Sequence, residues 1–202
     1  MDGGIEVTAL HNHLLHETPR VMYMHIGGMG DPVKLAQAVN GALALTKTPP
    51  ADAGGAQAKT QIGIDTAQIE QILGQKGEVK GGIFQFSVPR ATSPIAQPIG
   101  SDSLTGGPQI PNSMGIAQAI NFQPTGAGKA AITGDFVLIA KEVNPVMRAL
   151  LDNGVAVTAL HSHMLDEQPR LFFMHFWAND DAAKLAKGVR AALDKIAVKK
   201  SQ

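Results

Sequence analysis

Apolar and polar positions alternate along Val155–Met164, which is rich in Val and Thr, and this period of two predicts a β-strand. Leu171–Trp177 is aromatic and apolar and predicts a second strand, with the turn at Asp166–Pro169 between them. The period then changes. Leu185, Val189, Leu193 and Ile196 fall on one stripe of a helix over 182–196. Upstream, Asp135–Ala140 (DFVLIA) predicts a strand, and 142–151 a helix that places Val146, Met147, Leu150 and Leu151 on one side and ends at Asn153-Gly154. Asp65–Leu73 predicts a short helix, with Asp65 and Gln68 at capping-box spacing. Gly82–Val88, Gly115–Gln123 and Lys129–Thr133 predict further strands. Thr46–Gly63 and Pro89–Ser113 are rich in Pro, Gly, Ala or Ser and have the character of linkers, the second long for a loop.

A shift of 150 positions lays the chain over itself. Residues 4–43 and 154–193 align without a gap and are identical at about half of their positions, which implies an internal duplication. In the first segment Asp31 is placed to cap the corresponding helix and Pro32 suits its first turn. The pattern predicts an α+β fold built from a repeated β-hairpin-plus-helix unit, with antiparallel strands packed by helices. The expected organisation is a truncated first repeat over 1–45, a linker over 46–64 and a complete second unit over 65–198.

All seven histidines lie in the two aligned segments. Three pairs correspond: His11 with His161, His13 with His163 and His25 with His175; His16 faces Asp166. Histidines two apart on a strand share a face. A hairpin closing at Glu167–Gln168 would set His175 opposite His161 and Phe173 opposite His163, with Cβ atoms ~5 Å apart. The same spacing joins His11, His13 and His25, with Tyr23 in the place of Phe173. Two matching three-histidine sites are therefore expected. Three imidazoles from neighbouring strands hold Zn²⁺ well and leave a position for water or substrate; Fe, Cu and Ni are also compatible. A polar, hydrogen-bonded core network and a metal-free active site are the competing readings.

Glu167 and Glu17, in the turns, are candidates for a general base or fourth ligand, against the simpler reading of solvated turn residues. Arg170 and Arg20 either pair with those glutamates or clamp a ligand carboxylate. Phe173 and Tyr23 line the expected ligand side, although aromatic residues here, like Trp177, are more often core. Asp31 and Asp181 are simplest as helix-start residues.

Composition narrows the classes. Hydrophobic residues at 44% supply a core, and charged residues reach only 17%. Lys plus Arg equals Asp plus Glu at 17 each, with no basic patch, which argues against nucleic acid as a partner. With no cysteine, a metal must be held by nitrogen and oxygen. No run is long and apolar enough for a transmembrane segment, and the first thirty residues lack a signal-peptide pattern. Gly126–Lys129 lacks phosphate-loop spacing, and no serine has a G-x-S-x-G setting.

The run EVNPVMRALLDNGVAVTALHSHMLDEQPRLFFMHFW, its earlier echo EVTALHNHLLHETPRVMYMHIGGMGDP, and KGGIFQFSVPR, INFQPTG and AAITGDFVL resemble the LppY/LpqO family of bacterial (lipo)proteins. The resemblance covers nearly the whole chain. It implies an exported or lipid-anchored, extracytoplasmic protein of a family without an assigned activity, built as two complete tandem units. Against that pattern the first unit here starts midway, so residues 1–45 are expected to pack on the second unit or to borrow a partner from another chain as a homo-oligomer. The reading favoured is a metal- or small-ligand-binding protein. A metal-dependent hydrolase or oxidoreductase and a purely structural domain are the alternatives.

Overall fold

In the computed structural model the described residues are 3–47, 62–91, 115–165 and 167–199. Nearly all of the two linker-like stretches and Asp166 of the expected turn lie outside them. The chain order is β1 (Glu6–His11), β2 (Tyr23–Gly27), α1 (Pro32–Leu43), α2 (Thr66–Leu73), β3 (Glu78–Lys80), β4 (Ile83–Val88), β5 (Gln118–Gly126), β6 (Lys129–Ile139), α3 (Ala140–Asp152), β7 (Ala156–His161), β8 (Leu171–Asp181) and α4 (Ala182–Leu193). β1 and β2 form a two-stranded sheet, and the other strands form a six-stranded sheet in the order β3-β4-β5-β6-β8-β7. Every pairing is antiparallel. The fold is α+β, as the patterning predicted.

Alternation decides which side each strand gives to the helices. Phe136 and Leu138 of β6, and Met174, Phe176 and Ala178 of β8, join Leu185, Val189 and Leu193 of α4 and Val146 and Leu150 of α3 in one buried cluster. The opposite face carries a smaller cluster of Ile116, Val137, Leu171 and Phe173, and beside it His175. Gly134 lets the Phe176 ring lie across β6, because a Cβ there would stand 2.2 Å from the ring.

Several boundaries differ from expectation. The expected strands over 129–133 and 135–140 form one strand that ends at Ile139, since Gly134 continues the ladder opposite Phe176 instead of breaking it, and Ala140 begins α3. The strand expected over 155–164 ends at His161, because Ser162 turns its hydroxyl to the Leu171 carbonyl (3.0 Å). β3 was not anticipated; three residues give too little pattern. The helix starts came out as read. Asp31 accepts from the Val33 and Lys34 amides, and Asp65 from Gln68.

A buried ion pair anchors the sheet to α3. Arg90 meets Glu142 in two bonds of 2.9 Å and also donates to the Val137 carbonyl at 2.7 Å. Burial alone would raise the Glu142 pKa, but the hydrogen bonds from Arg90 and the Ile139 amide hold it below its ordinary value. Gln118 extends the ladder past the β5–β6 pairing by bonding both the N–H and the C=O of Val137. Arg90→Ala strands the Glu142 carboxylate and is expected to cost about 3–5 kcal/mol in denaturant unfolding; a loss below about 1 kcal/mol would show that the pair is not what fixes α3 to the sheet.

Candidate metal centre

The two hairpins are built alike. His11 pairs with Tyr23 and Ala9 with His25; His161 pairs with Phe173 and Ala159 with His175. Each has a bulge just before Ala9 or Ala159, at Thr8 or Thr158, and each has a cis peptide before its turn proline, at Pro19 and Pro169. The expected register, with His161 directly opposite His175, is therefore corrected by two residues. The cause is the connecting loop, which is wider than a tight turn. Glu167 accepts from the Leu171 amide at 2.9 Å and so fixes where β8 begins, and Arg170 donates to the carbonyls of Met164 (3.0 Å) and Leu165 (2.8 Å). A shift of two keeps every side chain on its face, so the histidines still converge. His175 sits diagonally across from His161, and His163 reaches the group from the loop just beyond β7.

The first hairpin lies with its histidine face against that of the second. His11 and His161 have ring centroids 3.6 Å apart, His13 and His175 3.7 Å, and His25 and His163 3.5 Å. The expected two sets of three thus meet in one cluster. The potential ligand atoms of His11, His161, His163 and His175 all lie within 4.8 Å of one another, the one group among the described residues able to hold a metal ion. His13 and His25 flank that group. The Nε2 atoms of His11 and His25 are 2.8 Å apart.

Ring orientation is set from behind. The Nδ1 atoms of His11, His161 and His175 face the carbonyls of Asn12 (3.4 Å), Ser162 (3.4 Å) and Gly134 (3.3 Å). A proton on Nδ1 leaves the Nε2 lone pair directed into the cluster. The Nε2 atoms of His13, His161, His163 and His175 are buried and have no hydrogen-bond partner. Nitrogens withdrawn from water in this way and gathered within 4.8 Å of one another could hold a metal ion.

Burial is the main reason the imidazolium forms are disfavoured, with neighbouring rings adding to it. The pKa falls from 6.5 to about 4 for His13 and His161, to about 3 for His175 and to about 2 for His163. His11 and His25 are lowered too, again chiefly by burial. In all six rings burial thus favours the neutral form. Asp135 stands opposite His175 on β6, on the same sheet face, and its Oδ1 is buried without a partner. Desolvation raises its pKa from 3.8 to about 7. Nothing in the hairpin spacing pointed to this residue; a charged side chain inside the apolar run GDFVLIA was the available signal.

The other anticipated residues lie in the hairpin loops or against the histidine rings. Glu167 is buried and spent on the Leu171 amide and on Arg170 at 3.3 Å; Glu17 accepts from the Val21 amide at 3.3 Å. Arg170 braces its own loop, and Arg20 is exposed. Phe173 and Tyr23 stack on histidines, Phe173 on His163 and Tyr23 on His13, with centroids 3.5 Å apart in each case. A cavity of about 380 Å³ opens between the loop after His13 and the start of β7, lined by Leu14, Leu15, His16, Glu17, Ala156, Thr158 and Trp177. No helix among the described residues is long and apolar enough to cross a membrane.

A family model described as Domain of Unknown Function (DUF1259) matches residues 1–45 and 67–195. The chain belongs to that family. The matched stretches contain both hairpins, all six clustered histidines and Asp135, so the centre is made wholly within the DUF1259 portion. No curated protein and no solved structure is matched by the chain.

The lowered imidazole pKa values have a definite consequence for stability. The unfolded chain binds protons near pH 6.5, whereas the folded histidines hold out to about 4 and below. Their contribution is complete above pH 6.5 and is lost as pH falls toward 4. Metal-free protein is expected to lose thermal stability steadily between pH 7 and pH 4.5; scanning calorimetry showing a flat midpoint over that range would contradict the packing of neutral rings.

Proposed function

We propose that this DUF1259 protein binds one divalent transition-metal ion between its two hairpins, through His11, His161, His163 and His175, and serves as a metal- or small-ligand-binding protein. The observation that carries this reading is the gathering of ligand atoms of His11, His161, His163 and His175 within 4.8 Å of one another, with His11 Nε2 bonded to His25 and the Nε2 atoms of the other three buried and unpartnered. A hydrogen-bonded polar core would have spent those atoms; here they are held open. An all-nitrogen set suits Zn²⁺ first and Cu²⁺ or Ni²⁺ as well. The residues that would hold the ion come from both hairpins, so binding would also tie the first hairpin to the second. The resemblance to the LppY/LpqO proteins supports an extracytoplasmic bacterial setting, and the echo between the two hairpins supports duplication as their origin.

A metal-dependent hydrolase or oxidoreductase is the second reading, favoured by one observation. The cavity begins beside the bulge at Thr158, one residue before the strand position opposite His175, and offers room for a small molecule next to the centre. In that reading a bound metal would supply Lewis-acid or redox chemistry, while Leu14, Leu15 and Trp177 would hold the apolar body of a substrate.

Untagged protein loaded with Zn²⁺, Cu²⁺ or Ni²⁺ and desalted is expected to retain close to one ion per chain by elemental analysis. The double variant His161→Ala/His163→Ala is expected to retain none while keeping its far-ultraviolet circular dichroism. Two ions per chain would mean that each hairpin makes its own site. Retention of the ion by the double variant would discard this ligand set.

A further inference from the structure

A centre of neutral imidazoles leaves the charge of a divalent cation without a counterion. A partly desolvated cation is unfavourable unless an anionic group stands near it. The glutamates of the hairpin loops do not serve. Glu167 is held by the Leu171 amide and paired with Arg170, and Glu17, bonded to the Val21 amide, lines the cavity and is outside the ligand group.

Asp135 is placed differently. It lies on β6 directly opposite His175 of β8, and both side chains project from the face that meets the first hairpin. Opposed residues on adjacent strands have Cβ atoms ~5 Å apart. His175 turns its Nδ1 back to the Gly134 carbonyl, so its outer nitrogen faces the other histidines. The Asp135 Oδ1 atom is buried and makes no hydrogen bond. An unpaired buried carboxylate oxygen costs stability, and its usual justification is a cation or a proton donor that arrives on binding.

We infer that Asp135 is the acidic member of the metal centre, standing behind the histidine ligands and balancing the charge of the bound cation. This rests on the proposed metal site and deepens it. The ligand class follows from the chemistry: neutral imidazoles with one carboxylate favour a divalent cation and repel an anionic guest. Asp135 stands outside the group of four convergent ligands, so its influence is carried by charge and by any solvent molecule on the ion rather than by a direct bond.

The test compares wild type with Asp135→Asn, which keeps the shape and removes the charge, and with Asp135→Ala, using Zn²⁺ in competition with a chromophoric chelator. Outer residues of metal sites typically govern affinity by about 10–100-fold. Asp135→Asn is expected to bind one Zn²⁺ about tenfold or more weakly, while its metal-free form unfolds at or above the wild-type midpoint because a buried unpaired carboxylate has been removed. A purely structural carboxylate would give the opposite pair, with unchanged affinity and a less stable metal-free protein. That result, or failure of both variants to fold, overturns the assignment. Wild type that takes up no Zn²⁺, Cu²⁺ or Ni²⁺ overturns the metal centre itself, a distinguishable outcome.

Discussion

Six imidazole rings packed between two hairpins are what join the first hairpin to the rest of the protein. The helix that follows it, α1, buries none of its residues, whereas α4, in the matching place after β8, buries Leu185, Val189, Leu193 and others. Met24 and Ile26 of β2 remain 58% and 47% exposed, while their counterparts Met174 and Phe176 are buried. The first hairpin thus draws little from an apolar core of its own. Its outward face is unlike the helix-covered face of the main sheet, and its inward face meets that sheet through histidines. This makes the chemistry of the rings a structural matter as well as a functional one. Neutral rings at stacking distance attract, and protonated ones repel.

The arrangement follows from sheet geometry. Histidines on one face of a two-stranded ribbon present a flat, polar patch about two residues wide. Two such patches can satisfy each other only by laying ring on ring. The pairings cross over in a reciprocal way: His13 lies on His175, and His25 lies on His163, while His11 lies on His161. Tyr23 and Phe173 back the outer rings at matching positions, each stacking at 3.5 Å. Because each outer ring is clasped between an aromatic of its own hairpin and a histidine of the other, neither hairpin can close a site alone without giving up those contacts. A shared centre is the arrangement that keeps them.

The parts that were legible in the sequence are those set by period and by caps. Alternation over 155–164 and the 3.6-residue stripe over 182–196 rest on local burial, and a strand and a helix lie there, although β7 ends at His161 and α4 at Leu193, short of Ile196. The shared face of His161, His163 and His175 was legible because parity survives a shift of two residues. The exact partners were not, because register depends on how Glu167, Ser162 and Arg170 shape the loop, and such side-chain-to-backbone bonds leave no periodic trace. The meeting of the hairpins was invisible for a different reason. It joins residues about 150 positions apart, and nothing local to either segment encodes which face will find which. Asp135 was hidden by the same non-locality, since its meaning comes from the neighbour across the ladder.

The distribution of charge around the centre decides what kind of guest it suits. An anion would need guanidinium or ammonium groups; Arg170 bonds Met164, Leu165 and Glu167, and Arg20, at the same place in the first hairpin loop, is exposed. Arg90, the buried cation of the main sheet, is neutralised by Glu142. What faces the cluster includes the unpartnered Nε2 atoms of His13, His161, His163 and His175, together with the Asp135 side chain, which lacks a partner on Oδ1. Such a surface has little to offer a phosphate or carboxylate ligand and much to offer a cation that prefers nitrogen. The adjoining cavity is walled by the apolar side chains of Leu14, Leu15 and Trp177, with His16, Glu17 and Thr158 as its polar lining.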